Sequence, residues 1–330
     1  MRASALLLSL FAVFVALAAL TSEPARASDA ADWLAGPCSG PNGTIRVRPH
    51  GRYVSGYFGT LVADALVHAR ERPDMVAGWM QWYFAHAHDS GSGVDGVPDD
   101  VDLDGDREVS RGRPDSTDAY GAVFLSLARH AYDSGDPALR ALVLAHRDDL
   151  ARIMDSGVAT MRPNGLTWAR PQYHIFYTID DVELYRGLVD ASALFDHAFH
   201  DAPLSARYDR DARIVQYGVT NVLWDAQTQT FRPYMNDAGT SGPANLSVAY
   251  PDALAQVLAI YYGFVDPRSS AARALLERAS PALLAQNDPL AEHQLILLAT
   301  QRRMGLDVAV PPFHPPSLCV DAAWYLQAAK

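Results

Sequence analysis

The chain has 330 residues, a formal net charge of −11 and a 49% share of hydrophobic residues. An acidic balance of this size argues against nucleic acid or an anionic lipid surface as partner, since both are held by Lys and Arg. It leaves neutral or cationic small molecules and glycans.

At the N-terminus, Arg2, an apolar run over 5–20 and the triplet Ala25-Arg26-Ala27 have the layout of a secretory signal peptide, with cleavage expected after Ala27. A membrane anchor would need about 18 uninterrupted apolar residues, and no later segment offers them. Removing 1–27 takes away Arg2, Glu23 and Arg26 and makes the net charge −12. An exported chain, periplasmic or extracellular and acting as a monomer, is expected. Residues 28–330 contain no Pro/Gly/Ser linker and suit a single domain. Cys38 and Cys319 are the only cysteines. In an exported protein such a pair is expected to form a disulfide, the alternative being two free buried thiols.

Helical periodicity dominates, and no stretch alternates as a strand. Four segments share one design, a Gly-, Asp- or aromatic-rich start and then a helix apolar nearly all round. They are "YFGTLVADAL" (57–66), "DAYGAVFLSL" (118–127), "DVELYRGLVD" (181–190) and "DALAQVLAI" (252–260). Between them lie helices with charged faces, over 137–156, 205–224 and 269–285. A helix apolar all round is buried, whereas one with a charged face lies on the surface. Alternation of the two kinds at this spacing predicts a closed repeat of inner and outer helices.

The segments "DSTDAYGAVFLSLARHAY", "YTIDDVELYRGLVDASALF" and "AYPDALAQVLAIYYG" resemble the six-hairpin, or (α/α)6-toroid, glycosidases. More narrowly they are similar to a secreted bacterial branch with D-S-x-D-[SA]-Y and D-[ND]-x-E-x-Y-x-G-L patterns. The resemblance spans roughly residues 50–305 and is moderately specific for the fold and weakly for any substrate. It implies an all-α (α/α)6 toroid of six helical hairpins, with inner-helix starts lining a glycan cleft. It also implies that a Cys38–Cys319 bridge would staple the first hairpin to the last.

Glycoside hydrolysis needs two carboxyl groups flanking one bond, one protonated and one ionised. Asp118 recurs in kind at the later inner starts Asp181 and Asp252. The positive end of the helix dipole favours the ionised form there, so Asp118 and Asp181 suit a base or a sugar anchor. Glu183, flanked by Val182 and Leu184, suits the acid, because apolar surroundings raise a carboxyl pKa. The bland reading of Asp115, Ser116 and Asp118, and of Thr178 with Asp181, is helix capping. Asp115, Tyr120, Trp168, Tyr177, Tyr185, Tyr250 and Asp252 are the candidate sugar contacts. Trp168 leads because it sits in a loop beside Arg170 and His174, while Trp79 and Trp82 read as core.

Asp100, Asp102, Asp104, Gly105 and Asp106 follow the first half of a calcium-loop pattern, but Arg111 stands where a bidentate acid belongs. Calcium is a possible ligand of this loop, and the alternatives are a solvated turn or a cleft rim. No other cofactor is expected. His86, His88 and Asp89 read as a solvated helix end rather than a zinc site. Two further classes stay open beside a hydrolase. One is a polysaccharide lyase using Arg170, His174 and Tyr177; the other is a glycan-binding toroid without turnover.

Overall fold

The computed structural model describes residues 23–88, 91, 93–285 and 291–330. The apolar run 5–20 and Asp89 lie outside these described residues. Twelve α-helices organise the described chain: α1 (Glu23–Trp33), α2 (Gly56–Ala69), α3 (Pro73–His86), α4 (Asp118–Asp133), α5 (Pro137–Ala145) and α6 (Arg147–Val158). They continue with α7 (Thr178–His197), α8 (Ala202–Gly218), α9 (Leu254–Tyr261), α10 (Ser270–Leu284), α11 (Glu292–Arg303) and α12 (Cys319–Ala329).

Six of them close an inner ring in the order α2, α4, α7, α9, α11, α12 and back to α2. Their burial follows from composition: every residue of α4 from Asp118 to Ala128 and every residue of α9 is buried. The outer layer carries the charged faces. There α3 packs on α2, α5 and α6 on α4, α8 on α7, α10 on α9 and α11, and α1 on α12. This is a helical (α/α) toroid, and the four inner and three outer segments read from the sequence all fall in their expected layers. The inner helices α11 and α12 complete the ring. The expected outer helix over 137–156 breaks at His146 into α5 and α6.

Close approach of inner helices is set by small residues. A Cβ on Gly187 of α7 would lie 2.6 Å from the Cα and carbonyl oxygen of Ala122 in α4, so only glycine lets these helices meet there. The ring is tied where it closes by the Cys38–Cys319 disulfide, with a Cα separation of 6.0 Å across 281 residues of sequence. It fastens the segment after α1 to the first residue of α12. Among the described residues, no helix is long and apolar enough to cross a membrane.

The structure also holds strands, which the sequence reading did not expect. Tyr53–Val54, Val101–Asp104 and Arg107–Ser110 form a three-stranded antiparallel sheet, and Ile175–Tyr177 pairs with Tyr234–Asn236. With two to four residues each, such strands are too short to show alternation. The acidic stretch is therefore a hairpin, with Asp104 opposite Arg107 and Gly105 at φ +64° in the turn.

Candidate active site

The starts of five inner helices converge on one cavity of about 810 Å³. Tyr57 and Phe58 reach it from α2, Ala119 and Tyr120 from α4, Ile179 and Asp180 from α7, Leu254 from α9, and Glu292 and His293 from α11. Between the helices, Tyr53 of the first strand and Asp100, Arg111, Arg113, Asp115, Ser116, Arg170 and Tyr250 add to the wall, as does Trp324 of α12. No inner helix has a side-chain N-cap of its own, whereas the outer helices α5, α8 and α10 are capped by Asp136, Asp201 and Ser269. Positive helix ends therefore point towards the cavity and favour anionic groups there.

Four carboxyl groups line this space: Asp100, Asp115, Asp180 and Glu292. Asp100 accepts from the hydroxyls of Tyr53 at 2.5 Å and Tyr120 at 3.2 Å and from the backbone N–H of Gly56 at 3.3 Å. Burial still pushes its pKa up. Asp180 is half-buried, receives the Ser116 hydroxyl at 3.3 Å, and has its pKa pushed well above the usual range. Burial is the main cause, followed by the charges of Asp118, Glu183, Asp181 and Asp115. Glu292, also half-buried, is raised by burial alone.

Behind the wall lies a second tier of acids, and it contains the three singled out in the sequence. Asp118 and Asp181 are 0% exposed and Glu183 is 1% exposed, and none of them lines the cavity. The Thr167 hydroxyl sits 2.7 Å from Asp118 Oδ2 and 3.1 Å from Asp181 Oδ1, so one proton serves two carboxyls. Thr167 N–H donates to Asp181 at 3.1 Å, and Ser116 and the N–H of Ala119 donate to Asp118. Burial raises Asp118 to about 6 and, with the Asp118 charge, lifts Asp181 well above its usual value. Asp118 thus holds the Ala119 N–H of its own helix, which Ser116 Oγ also accepts at 3.4 Å, as well as Thr167 of another segment, while Asp181 is held by Thr167. Glu183 takes the hydroxyls of Tyr57 and Tyr262 at 2.6 and 2.8 Å, and burial drives its pKa to about 8. Asp181 Oδ2 and Glu183 Oε2 are buried without a partner, which suits protonated carboxyls.

Of the candidate sugar contacts, Asp115, Tyr120 and Tyr250 line the cavity. Tyr250 is 60% exposed and stacks on His293 at 6.1 Å. Trp168, Tyr177, Tyr185 and Asp252 do not line it. Trp168 is sandwiched, with His174 stacked at 3.7 Å and the Arg162 guanidinium at 4.2 Å, and its N–H donates to Asp237. Tyr177 bonds the Tyr173 hydroxyl, Tyr185 packs edge-on against Phe264, and Asp252 accepts from the Asn245 N–H. The lyase trio separates as well, since Arg170 lines the cavity while His174 and Tyr177 do not.

The possible calcium ligands Asp100, Asp102, Asp104 and Asp106 point to different partners. Asp100 is held by tyrosines, Asp102 faces Arg111 at 3.4 Å, Asp104 faces Arg52 at 3.7 Å, and Asp106 is exposed. The opening part of this stretch is a cavity wall. Sequence reasoning passed over Tyr53, Tyr57, Glu292, His293 and Trp324. "EHQLILLATQRR" opens on an acid at Glu292, but its apolar residues are confined to 295–299, so it does not read as a helix apolar nearly all round.

No protein-family model matches the chain, and no curated protein matches it. Solved structures do match. A wild-type glycosidase is 14% identical with a TM-score of 0.66, covering 94% of this chain and 97% of its own. An endoglucanase of glycosyl hydrolase family 8 from Klebsiella pneumoniae is 10% identical, with a TM-score of 0.60 over 91% of this chain and 97% of its own. A rhamnosidase from Klebsiella oxytoca with rhamnose bound is 14% identical with a TM-score of 0.55, and the match covers 79% of this chain and 48% of that one. At these identities the likeness defines the fold, that of the six-hairpin glycosidases.

Proposed function

We propose that the protein is an exported glycoside hydrolase whose reacting groups are Asp180, the neighbour of the expected Asp181, and Glu292 of another inner helix. The observation that carries this reading is the cavity itself. It brings two half-buried carboxyls from different inner helices to a space large enough for sugar residues. The fold of this chain is shared with a glycosidase, one variant of which is solved in complex with glucose. The disulfide fits an oxidising compartment.

Asp180 is the general acid. Crowded by Asp118, Glu183, Asp181 and Asp115, it keeps its proton near neutral pH and gives it to the glycosidic oxygen as the bond breaks. Glu292 is the base. It opens α11 at the positive helix end and has no acidic neighbour among the causes of its pKa shift. It takes a proton from the water that attacks the anomeric carbon. The helices α7 and α11 are not adjacent in the ring, since α9 stands between them. Two carboxyls that enter the cavity from non-adjacent helices suit inversion, in which a water stands between the base and the anomeric carbon. Tyr250, exposed at the rim, supplies a flat ring for a sugar face.

The test is to follow product anomers by NMR from any oligosaccharide the protein cleaves. The first product anomer should be inverted, and Glu292→Gln should lose that step. Retention of configuration would remove Glu292 from the role of base.

A further inference from the structure

At the end of α2 away from the cavity, three potential metal ligands meet. Asp64 and His68 stand four residues apart on α2 and so share one face, and His130 comes from the last turn of α4. His130 Nδ1 lies 2.7 Å from Asp64 Oδ1, and His68 Nδ1 lies 3.6 Å from Asp64 Oδ2. One ligand atom from each residue can be chosen so that all lie within 4.8 Å of one another. The two imidazole rings are 4.3 Å apart.

We propose that Asp64, His68 and His130 form a binding site for a divalent transition cation, with zinc as its probe. Two imidazoles and one carboxylate are the donor set that zinc takes, at bonds of about 2.0–2.2 Å. His68 Nδ1 also lies 3.0 Å from the Asp64 carbonyl oxygen, and the ring turns from that bond to reach the ion. His68 is exposed, so solvent water can supply a fourth ligand. The C-terminal ends of α2 and α4 add negative potential from their last carbonyls. Nearby cations are already engaged: Arg186 is paired with Asp190, and Lys330 Nζ bonds the carbonyls of His68 and Ala69. Arg303 also approaches Asp64 and stacks over Tyr261 at 5.2 Å, so the field at the site is mixed.

The site joins the first two inner helices, whose opposite ends carry Tyr57 and Tyr120 in the cavity wall. Its role is to hold that wall, and it takes no part in the chemistry.

The experiment is calorimetric titration of zinc sulfate into the purified, chelator-stripped full chain, with thermal melts beside it. Wild type should take up one zinc per chain and melt higher when zinc is added. Asp64→Asn and His130→Ala should abolish that uptake. His68→Ala changes a side chain that is 37% exposed, so it should melt like wild type without zinc yet bind zinc at least tenfold more weakly. Absence of a saturable site, or a site that survives in all three variants, would overturn the proposal.

Discussion

Glu183 offers a sharp test of the buried acid tier. It is 1% exposed, its Oε1 takes two tyrosine hydroxyls, and its Oε2 has no partner. Burial raises its pKa from the ordinary 4.5 to about 8. The folded protein therefore holds a proton that the unfolded chain releases above about 4.5. The stability from this protonated group is fully present below that pH and is lost as pH rises towards about 8. The slope is at most about 1.4 kcal/mol per pH unit, so the whole window amounts to several kcal/mol. Glu183→Gln keeps an oxygen for Tyr57 and Tyr262 but cannot ionise. Its new N–H groups lack acceptors, which costs about 1–3 kcal/mol at low pH. Urea denaturation at pH 5, 6, 7 and 8 should thus show the wild-type advantage shrinking by about 1.4 kcal/mol per pH unit and reversing between about pH 5 and 7, with the variant the more stable at pH 8. A wild-type minus variant difference that stays constant with pH would refute the claim that Glu183 is buried in its neutral form.

Three further outcomes follow from the same structure. Thr167→Val removes the hydroxyl shared by Asp118 and Asp181 and should cost about 2–4 kcal/mol by denaturant titration, more at pH 8 than at pH 5 because burial raises both acids. Gly187→Ala drives a methyl into the Ala122 backbone at 2.6 Å and should cost about 2–3 kcal/mol, seen as a lower melting temperature. Cys38→Ser with Cys319→Ser should cost about 2–4 kcal/mol in stability while leaving the far-ultraviolet helical signal of the folded state intact.

The layers of this fold were legible because burial writes itself into composition. "DAYGAVFLSLARHAYD" is apolar nearly all round and lies inside, and "SAARALLERASPALL" has a charged face and lies outside. The site was legible only to the level of which helix ends form it. Each residue turns a helix by about 100°, so Asp181 faces Thr167 while its neighbour Asp180 faces the cavity. Nothing local to "TIDDVELY" decides between those two carboxyls; the Thr167 segment does. Trp168 shows the same limit, since Arg162 and His174 cover its faces only once the loop is folded. Glu292 was missed because α11 follows α9 much more closely than the earlier inner helices follow one another. Of the calcium-like spacing, Asp102 and Asp104 fall in a strand whose buried face is taken by Val101 and Leu103, while Asp100 just before it is buried on the cavity wall.

The most direct test of the central claim is reducing-end release from a panel of bacterial and plant polysaccharides by wild type, Asp180→Asn and Glu292→Gln. The account predicts release by wild type and at least a hundredfold loss in each variant, with glycan binding retained. Equal release by the variants, or no release by wild type from any glycan it binds, would contradict it.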